Sequence, residues 1–318
     1  MNTTTIPESD FVLNCMVATD KKTFTVATLA LIYLITLFGN LLVILVILIN
    51  HQLQTPMFFC IGALAAIDLA NSSNLIPKML SLLIFDYTVV SSGFCLLQMV
   101  LVFHLEVIET LLLGLMAYDR YVAVVYPLRY PSIITNRTVF IFLLVFNGIG
   151  LIDITPFIIY AKELPFCKTN VLPYCFCDYS TMVHIACTED PKYLTILSIT
   201  AAVLGIGPLV LILFSYTRIA YAALKISSVE GKRKVFSTCL THLLVVGLFY
   251  CPLLLSYVLP GAGVKLSTEA YNTMVIVGNI IPPMLNPLIY SFRNKEIKNS
   301  IYKLFMGKRT VTQIEAKK

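Results

Sequence analysis

The ionisable residues that stand inside apolar sequence are few, and they set the chemistry open to this chain. Asp68, Glu106, Glu109, the pair Asp119–Arg120 and Asp153 each interrupt runs dominated by Leu, Ile, Val and Phe. A carboxylate in such surroundings is costly unless it shares a proton, pairs with a cation or holds an ion, so each is a candidate functional position, except that an interhelical hydrogen bond is the expected role of Asp153. Glu106, Glu109, Leu113, Met116 and Arg120 recur at intervals of 3 or 4, which places them on one helix face. At the helical rise per residue, Glu109 stands about 16 Å from Arg120 along that face. Asp119 and Arg120 are adjacent, and neighbours in sequence are not expected to face each other on a helix. Each then needs a partner, or a place near the interface facing the bundle interior. The patterns of covalent chemistry are missing: the chain has no HExxH zinc motif, no GxSxG elbow and no P-loop. Nothing here reads as an enzyme.

The elements that carry these residues follow from composition. The 318 residues are 58% hydrophobic and 13% charged, against about 25% charged in soluble domains. Seven apolar stretches, roughly 24–49, 57–82, 94–126, 139–160, 193–224, 234–259 and 268–291, each reach the roughly 20 residues that cross a bilayer. The expected architecture is an all-α membrane bundle of seven spans (23–292), preceded by an N-terminal segment (1–22) and followed by an amphipathic helix and tail (293–318). Residues 1–22 lack the apolar run of a cleavable signal peptide, so the first span is expected to direct insertion. The loops on one side, with the C-terminal tail, carry sixteen Lys and Arg, and the other side carries six. That asymmetry puts the basic side in the cytoplasm and the N-terminus outside. It also accounts for the net charge of +6 without nucleic acid.

Six of the nine cysteines (Cys15, Cys95, Cys167, Cys175, Cys177, Cys187) fall on the outer side, where disulfides persist. Six cysteines allow fifteen pairings. Cys60, Cys239 and Cys251 fall within spans and are expected to be buried thiols. Asn2-Thr3-Thr4 is a glycosylation sequon on the outer side; Asn71-Ser-Ser and Asn136-Arg-Thr are discounted as intramembrane and cytoplasmic. Gly205-Ile-Gly-Pro208 is a breakable turn in span five, Pro252 a kink in span six, and Lys225 to Lys234 a short basic linker.

Four phrases carry a family resemblance. Met116-Ala-Tyr-Asp-Arg-Tyr-Val-Ala-Val-Val-Tyr-Pro-Leu-Arg-Tyr130 strongly resembles the MAYDRYVAICxPLxY signature of the odorant receptors, a branch of the rhodopsin-like G-protein-coupled receptors, with Val124-Val125 in place of Ile-Cys. Lys234-Val-Phe-Ser-Thr-Cys-Leu-Thr-His-Leu244 resembles KAFSTCxSHL, and Pro282-Pro-Met-Leu-Asn-Pro-Leu-Ile-Tyr-Ser-Phe-Arg-Asn-Lys295 resembles PMLNPxIYSLRNK. His51-Gln-Leu-Gln-Thr-Pro-Met-Phe-Phe59 is similar to LHTPMYFF. The resemblance covers essentially all of 11–306.

The resemblance implies that a small odorant binds among Val102, Phe103, Glu106, Val107, Thr200, Leu204, Tyr250, Leu253 and Tyr257. Glu106 aligns with a pocket position often uncharged in the family, and is expected to favour a hydrogen-bond donor or a cation. Asp119, Arg120 and Tyr121, with Tyr216, Asn286, Pro287 and Tyr290, would carry activation and coupling to a heterotrimeric G protein with a stimulatory, olfactory-type α-subunit, raising cyclic AMP. Tyr250 takes the place of the Trp switch found in most rhodopsin-like receptors; the chain has no Trp. Asp68 and Glu109 resemble a sodium site beside Asn286; otherwise they form a proton-sharing network, and no other cofactor is implied. By the same resemblance Cys95 joins Cys177 and Cys167 joins Cys187, leaving Cys15 and Cys175 either to pair or to stay free. The last helix, amphipathic through Ile297, Ile301, Leu304 and Phe305, would lie on membrane lipid, and the plasma membrane is the expected location. A chemosensory receptor outside olfaction, or an ion-conducting or transport protein using the buried carboxylates, are the alternative readings.

Overall fold

Among the described residues seven helices are long and apolar enough to cross a bilayer. The structure is a computed structural model. It describes residues 10–306 except 16, 18, 87, 168 and 262–266, with the backbone alone at 19, 234, 256–261, 268, 269, 271, 272 and 306. The crossing helices are α1 (Lys22–Ile49), α2 (Pro56–Phe85), α3 (Ser92–Val125), α5 (Asn136–Glu163), the continuous pair α7 (Lys192–Thr200) and α8 (Gly207–Leu224), α9 (Val229–Gly261) and α10 (Thr268–Arg293). Short helices α4 (Tyr130–Ile133), α6 (Tyr179–Ile185) and α11 (Lys295–Met306) complete the set. The chain is a multi-pass membrane protein with a seven-helix bundle and a short C-terminal helix.

The outer surface explains why a membrane is needed. Leu31, Leu34, Phe38, Leu41, Leu45 and Leu48 of α1 repeat every 3 or 4 residues and are 45–67% exposed. A continuous apolar stripe of this kind is unstable against water and at home against lipid. The helices outrun the apolar stretches because their polar end turns leave the hydrocarbon without leaving the helix. Thr135 accepts from Thr138 N (3.1 Å) to start α5, and Ser91 accepts from Phe94 N (3.3 Å) to start α3, supplying donors' partners at helix N-termini. Similarly, α9 begins at Val229, so Lys232, Arg233 and Lys234 are helical rather than part of a basic linker. The linker itself is reduced to the few residues between α8 and α9.

Helix α3 is the axis. It packs against α2, α5, α8 and α9, and at 34 residues it is about 51 Å long, well beyond the bilayer core. The ring closes where α10 meets α1, α2 and α9. Two close approaches make that closure possible. A Cβ on Gly39 would lie 2.9 Å from Pro287 Cγ, and one on Gly278 would lie 2.9 Å from Pro252 Cβ. Glycine at those points lets α1 approach Pro287 of α10, and α10 approach Pro252 of α9.

The two ends of the bundle differ in construction. One end is capped by a three-stranded sheet in the order β2-β1-β3, formed by β1 (Asp10–Leu13), β2 (Val89–Ser91) and β3 (Val171–Leu172). Strand β1 runs antiparallel to β2 (Phe11 opposite Val90) and parallel to β3 (Val12 opposite Val171). Three disulfides, Cys15–Cys175, Cys95–Cys177 and Cys167–Cys187, tie this cap to α3 and to itself. Gln98 adds a polar clamp: its Nε2 donates to Asn74 O (3.0 Å) and its Oε1 accepts from Cys177 N (3.0 Å). The opposite end carries Arg120, the α8–α9 turn and α11, whose Ile297 is buried against the bundle. Apolar packing forms one cluster toward each end, and a polar belt of Asn40, Asp68, Ser72, Glu109 and Asn286 lies between them.

Candidate functional site

The polar belt starts from prolines. Pro287 in α10 has no N–H, so the carbonyl of Pro283 loses its helical donor. Asn40 Nδ2 supplies one at 2.9 Å, and also donates to Thr36 O at 3.0 Å. The freed backbone group is thereby satisfied inside the membrane, as lipid requires. One turn on, Asn286 Nδ2 donates to Asp68 Oδ2 at 3.1 Å and Oδ1 at 3.4 Å. Around this pair stand buried atoms that lack partners among the described residues: Ser72 Oγ, Glu109 Oε1, Asn286 Oδ1 and Tyr290 OH. All are oxygens, the donor type preferred by hard cations, so Asp68 and Glu109 fit a small cation. Among the described residues no three His, Cys, Asp or Glu side chains form a metal cluster.

Toward the cap, α3 contributes to two adjoining chambers. The first, about 860 Å³ with its mouth included, is lined by Val102, Phe103, Glu106, Glu109 and Leu253 together with Asn71, Asp178 and Asn279. The second, about 700 Å³ by the same measure, is lined by Phe103, Glu106, Val107, Thr200, Leu204, Tyr250 and Leu253. Eight of the nine residues expected to meet ligand line one chamber or the other. For the ninth, Tyr257, only the backbone within α9 is described. Asn71, Asp178 and Asn279 were not anticipated. Asn71 reads in the sequence only as a discounted sequon, and Asp178 comes from a loop whose fold no local pattern specifies. Asp178 N-caps α6, its Oδ2 accepting from Thr181 N (2.9 Å) and Thr181 Oγ1 (3.0 Å). Burial raises its carboxyl above the usual range, while the Thr181 donors pull it back down.

The second chamber has an irregular wall for a structural reason. Residues Ala201–Ile206 form a π turn between α7 and α8, where Pro208 withholds the N–H that Leu204 O would use. Tyr250 OH donates to Gly205 O in that turn at 3.2 Å, linking α9 to the distorted helix. Thr200 Oγ1 donates to Asp153 Oδ1 at 2.8 Å, which gives Asp153 its interhelical partner.

At the other end the expectation about Asp119 and Arg120 needs correction. Arg120 Nε and an Nη donate to Asp119 Oδ2 at 2.9 and 2.5 Å. The flexible stem of Arg120 curls back along the helix, which the Cβ directions of adjacent residues do not foretell. Tyr130 OH completes the carboxylate by donating to Oδ1 at 2.8 Å. Tyr216 OH and His242 Nδ1 share a hydrogen bond of 2.6 Å with their rings stacked, and bridge α8 to α9. Tyr121 packs edge-on against Tyr126 at 5.9 Å. Cys60 and Cys239 are buried thiols, but Cys251 is exposed. It follows Tyr250, and with Tyr250 turned to the cavity the next residue points away from it. Asn2 lies outside the described residues.

Comparison with known proteins agrees with this geometry. Residues 29–308 match the family model described as Olfactory receptor. The chain is 38% identical over 278 residues to Olfactory receptor 5G26 of Mus musculus, covering 87% of each chain. It is 37% identical to Olfactory receptor 5F1 of Homo sapiens, covering 88% of each. With Olfactory receptor 10A5 of Homo sapiens it shares 38% identity over 300 residues, 93% of this chain and 94% of that one. The chain belongs to the olfactory receptor family and is a G-protein-coupled receptor rather than an enzyme.

Proposed function

We propose that the chain is an odorant receptor of the plasma membrane, its N-terminus and disulfide cap outside and its Arg120 end in the cytoplasm. The observation that carries this reading is the course of α3, which lines both chambers with Glu106 and carries Arg120 near its other end on the same face. A small odorant enters under the cap and contacts Tyr250. Ligand affinity that differs between two packings of α9 shifts the population between them. Loosening the Tyr250–Gly205 and Tyr216–His242 links frees α9 to swing from α8. That movement uncovers Arg120 for the C-terminus of an olfactory-type stimulatory α-subunit and raises cyclic AMP. Asn286, Pro287 and Tyr290 give α10 its hinge beside Asp68. A sodium ion held by Asp68 and Glu109 would supply positive charge to the belt and brace the resting packing.

Cyclic AMP in cells coexpressing the chain with an olfactory-type α-subunit tests the reading, using amines, carboxylates and neutral volatiles. The expected result is a response that Arg120→Ala abolishes while surface expression persists. A response retained in Arg120→Ala would refute the role given to that residue.

A further inference from the structure

The chamber beneath the cap is rich in acceptors and poor in donors. Glu106 and Asp178 both face it and lie near enough for their charges to repel. Its described lining contains no Lys, Arg or His. An independent observation comes from Asn71, which is 8% exposed and lines the same chamber. Its Nδ2 is used on Asn279 Oδ1 at 3.3 Å, and its Oδ1 has no partner among the described residues. The amide of Asn279 is in turn used on Val275 O at 3.0 Å. A buried acceptor without a donor is destabilising, so a ligand that brings donors would complete the chamber.

Resting on the reading of this cavity as the odorant site, we propose that its ligand is a small protonated amine with a hydrocarbon body. The ammonium is taken by Glu106 and Asp178, with the Asn71 carbonyl oxygen within the same chamber. An ammonium offers three donors and a full positive charge; an alcohol offers one donor and no charge, and a carboxylate offers neither. The hydrocarbon body follows from the position of Glu106, which belongs to both chambers along with Phe103 and Leu253. Beyond it the second chamber is walled by Val107, Leu204 and Leu254. An ammonium held at the boundary leaves its carbon skeleton against that apolar wall. Glu109 lies deeper, beside Asp68, and is left to the ion.

The test uses the purified full-length chain and primary amines of about four to ten carbons, each with its isosteric alcohol and carboxylate. Binding is read as the rise in unfolding midpoint with concentration. Amines are expected to bind at least about tenfold tighter than their alcohols, with carboxylates weaker still. Glu106→Gln should weaken the amines by about tenfold or more while changing the alcohols by less than about threefold; Asp178→Asn, which keeps the α6 cap, should have a smaller effect of the same sign. The inference is overturned if no amine binds, if an alcohol or carboxylate matches its amine, or if Glu106→Gln spares the preference. Amine binding without a cyclic AMP response would support it while refuting the coupling reading.

Discussion

The cavity under the cap and the cluster at Arg120 are both polar patches inside an apolar bundle, yet they are finished differently. At Arg120 both oxygens of Asp119 are engaged, by Arg120 and by Tyr130, and Tyr216 is engaged by His242, whose Nε2 is the one buried polar atom of these side chains left without a partner among the described residues. Around Asn71, Glu106 and Glu109 the described acceptors outnumber the donors, and Asn71 Oδ1 and Glu109 Oε1 have no partner among the described residues. A patch closed by its own partners holds one packing and must be broken to change it. A patch short of partners is cheap to fill and costly to leave empty. The contrast assigns resting stability to one end and responsiveness to the other.

Substitutions that reverse the sign of stability would sharpen the contrast most. Asp119→Ala strands Arg120 and Tyr130 and should cost about 2–3 kcal/mol, seen as a lower unfolding midpoint and less protein at the surface. Glu109→Gln replaces a buried carboxyl that lacks full pairing among the described residues by an amide of the same shape, and should instead leave stability in sodium-free buffer unchanged or higher by up to about 1 kcal/mol. A fall as large as that of Asp119→Ala would erase the distinction. A smaller effect is expected from Tyr216→Phe, which deletes one hydrogen bond worth about 1 kcal/mol between α8 and α9. Ligand-independent cyclic AMP should rise by about fivefold. Unchanged basal signalling would show that this link does not hold the resting packing.

The smallest expected effect is on pH. The raised carboxyl of Asp178 takes up a proton as pH falls toward the carboxylate range, while an alkylamine stays charged. Amine affinity should therefore decline by a few-fold as pH is lowered through that window, and alcohol affinity should not. Without ligand the same group acts in the opposite direction. A carboxyl raised in the folded state favours folding where it is protonated, and that contribution is lost as pH rises through its folded pKa.

The helices were legible because hydrocarbon selects long apolar runs, and the inward face of α3 because Glu106, Glu109 and Arg120 keep helical spacing. Polar closure was less legible. The partnership of Asn40 with the carbonyl freed by Pro287 spans most of the chain, and nothing local in either segment announces the other. The cap sheet joins residues near 11, 90 and 171, each too short to read as a strand alone. Asp178 enters the cavity only because disulfides and Gln98 hold its loop there. Asp119 and Arg120 pair through side-chain flexibility that a helical wheel omits. Cys251 shows the converse limit, since an apolar span does not say which thiol faces inward.

The central claim is that filling the chamber at Glu106 moves α9 away from the Arg120 end of α3. Spin labels at Leu128 and Val229, both exposed, would report that distance directly once the exposed Cys251 is replaced by Ser. Adding the tightest-binding amine should lengthen the label separation by on the order of 5 Å. A separation that stays fixed while the same sample shows ligand-induced stabilisation would contradict the account.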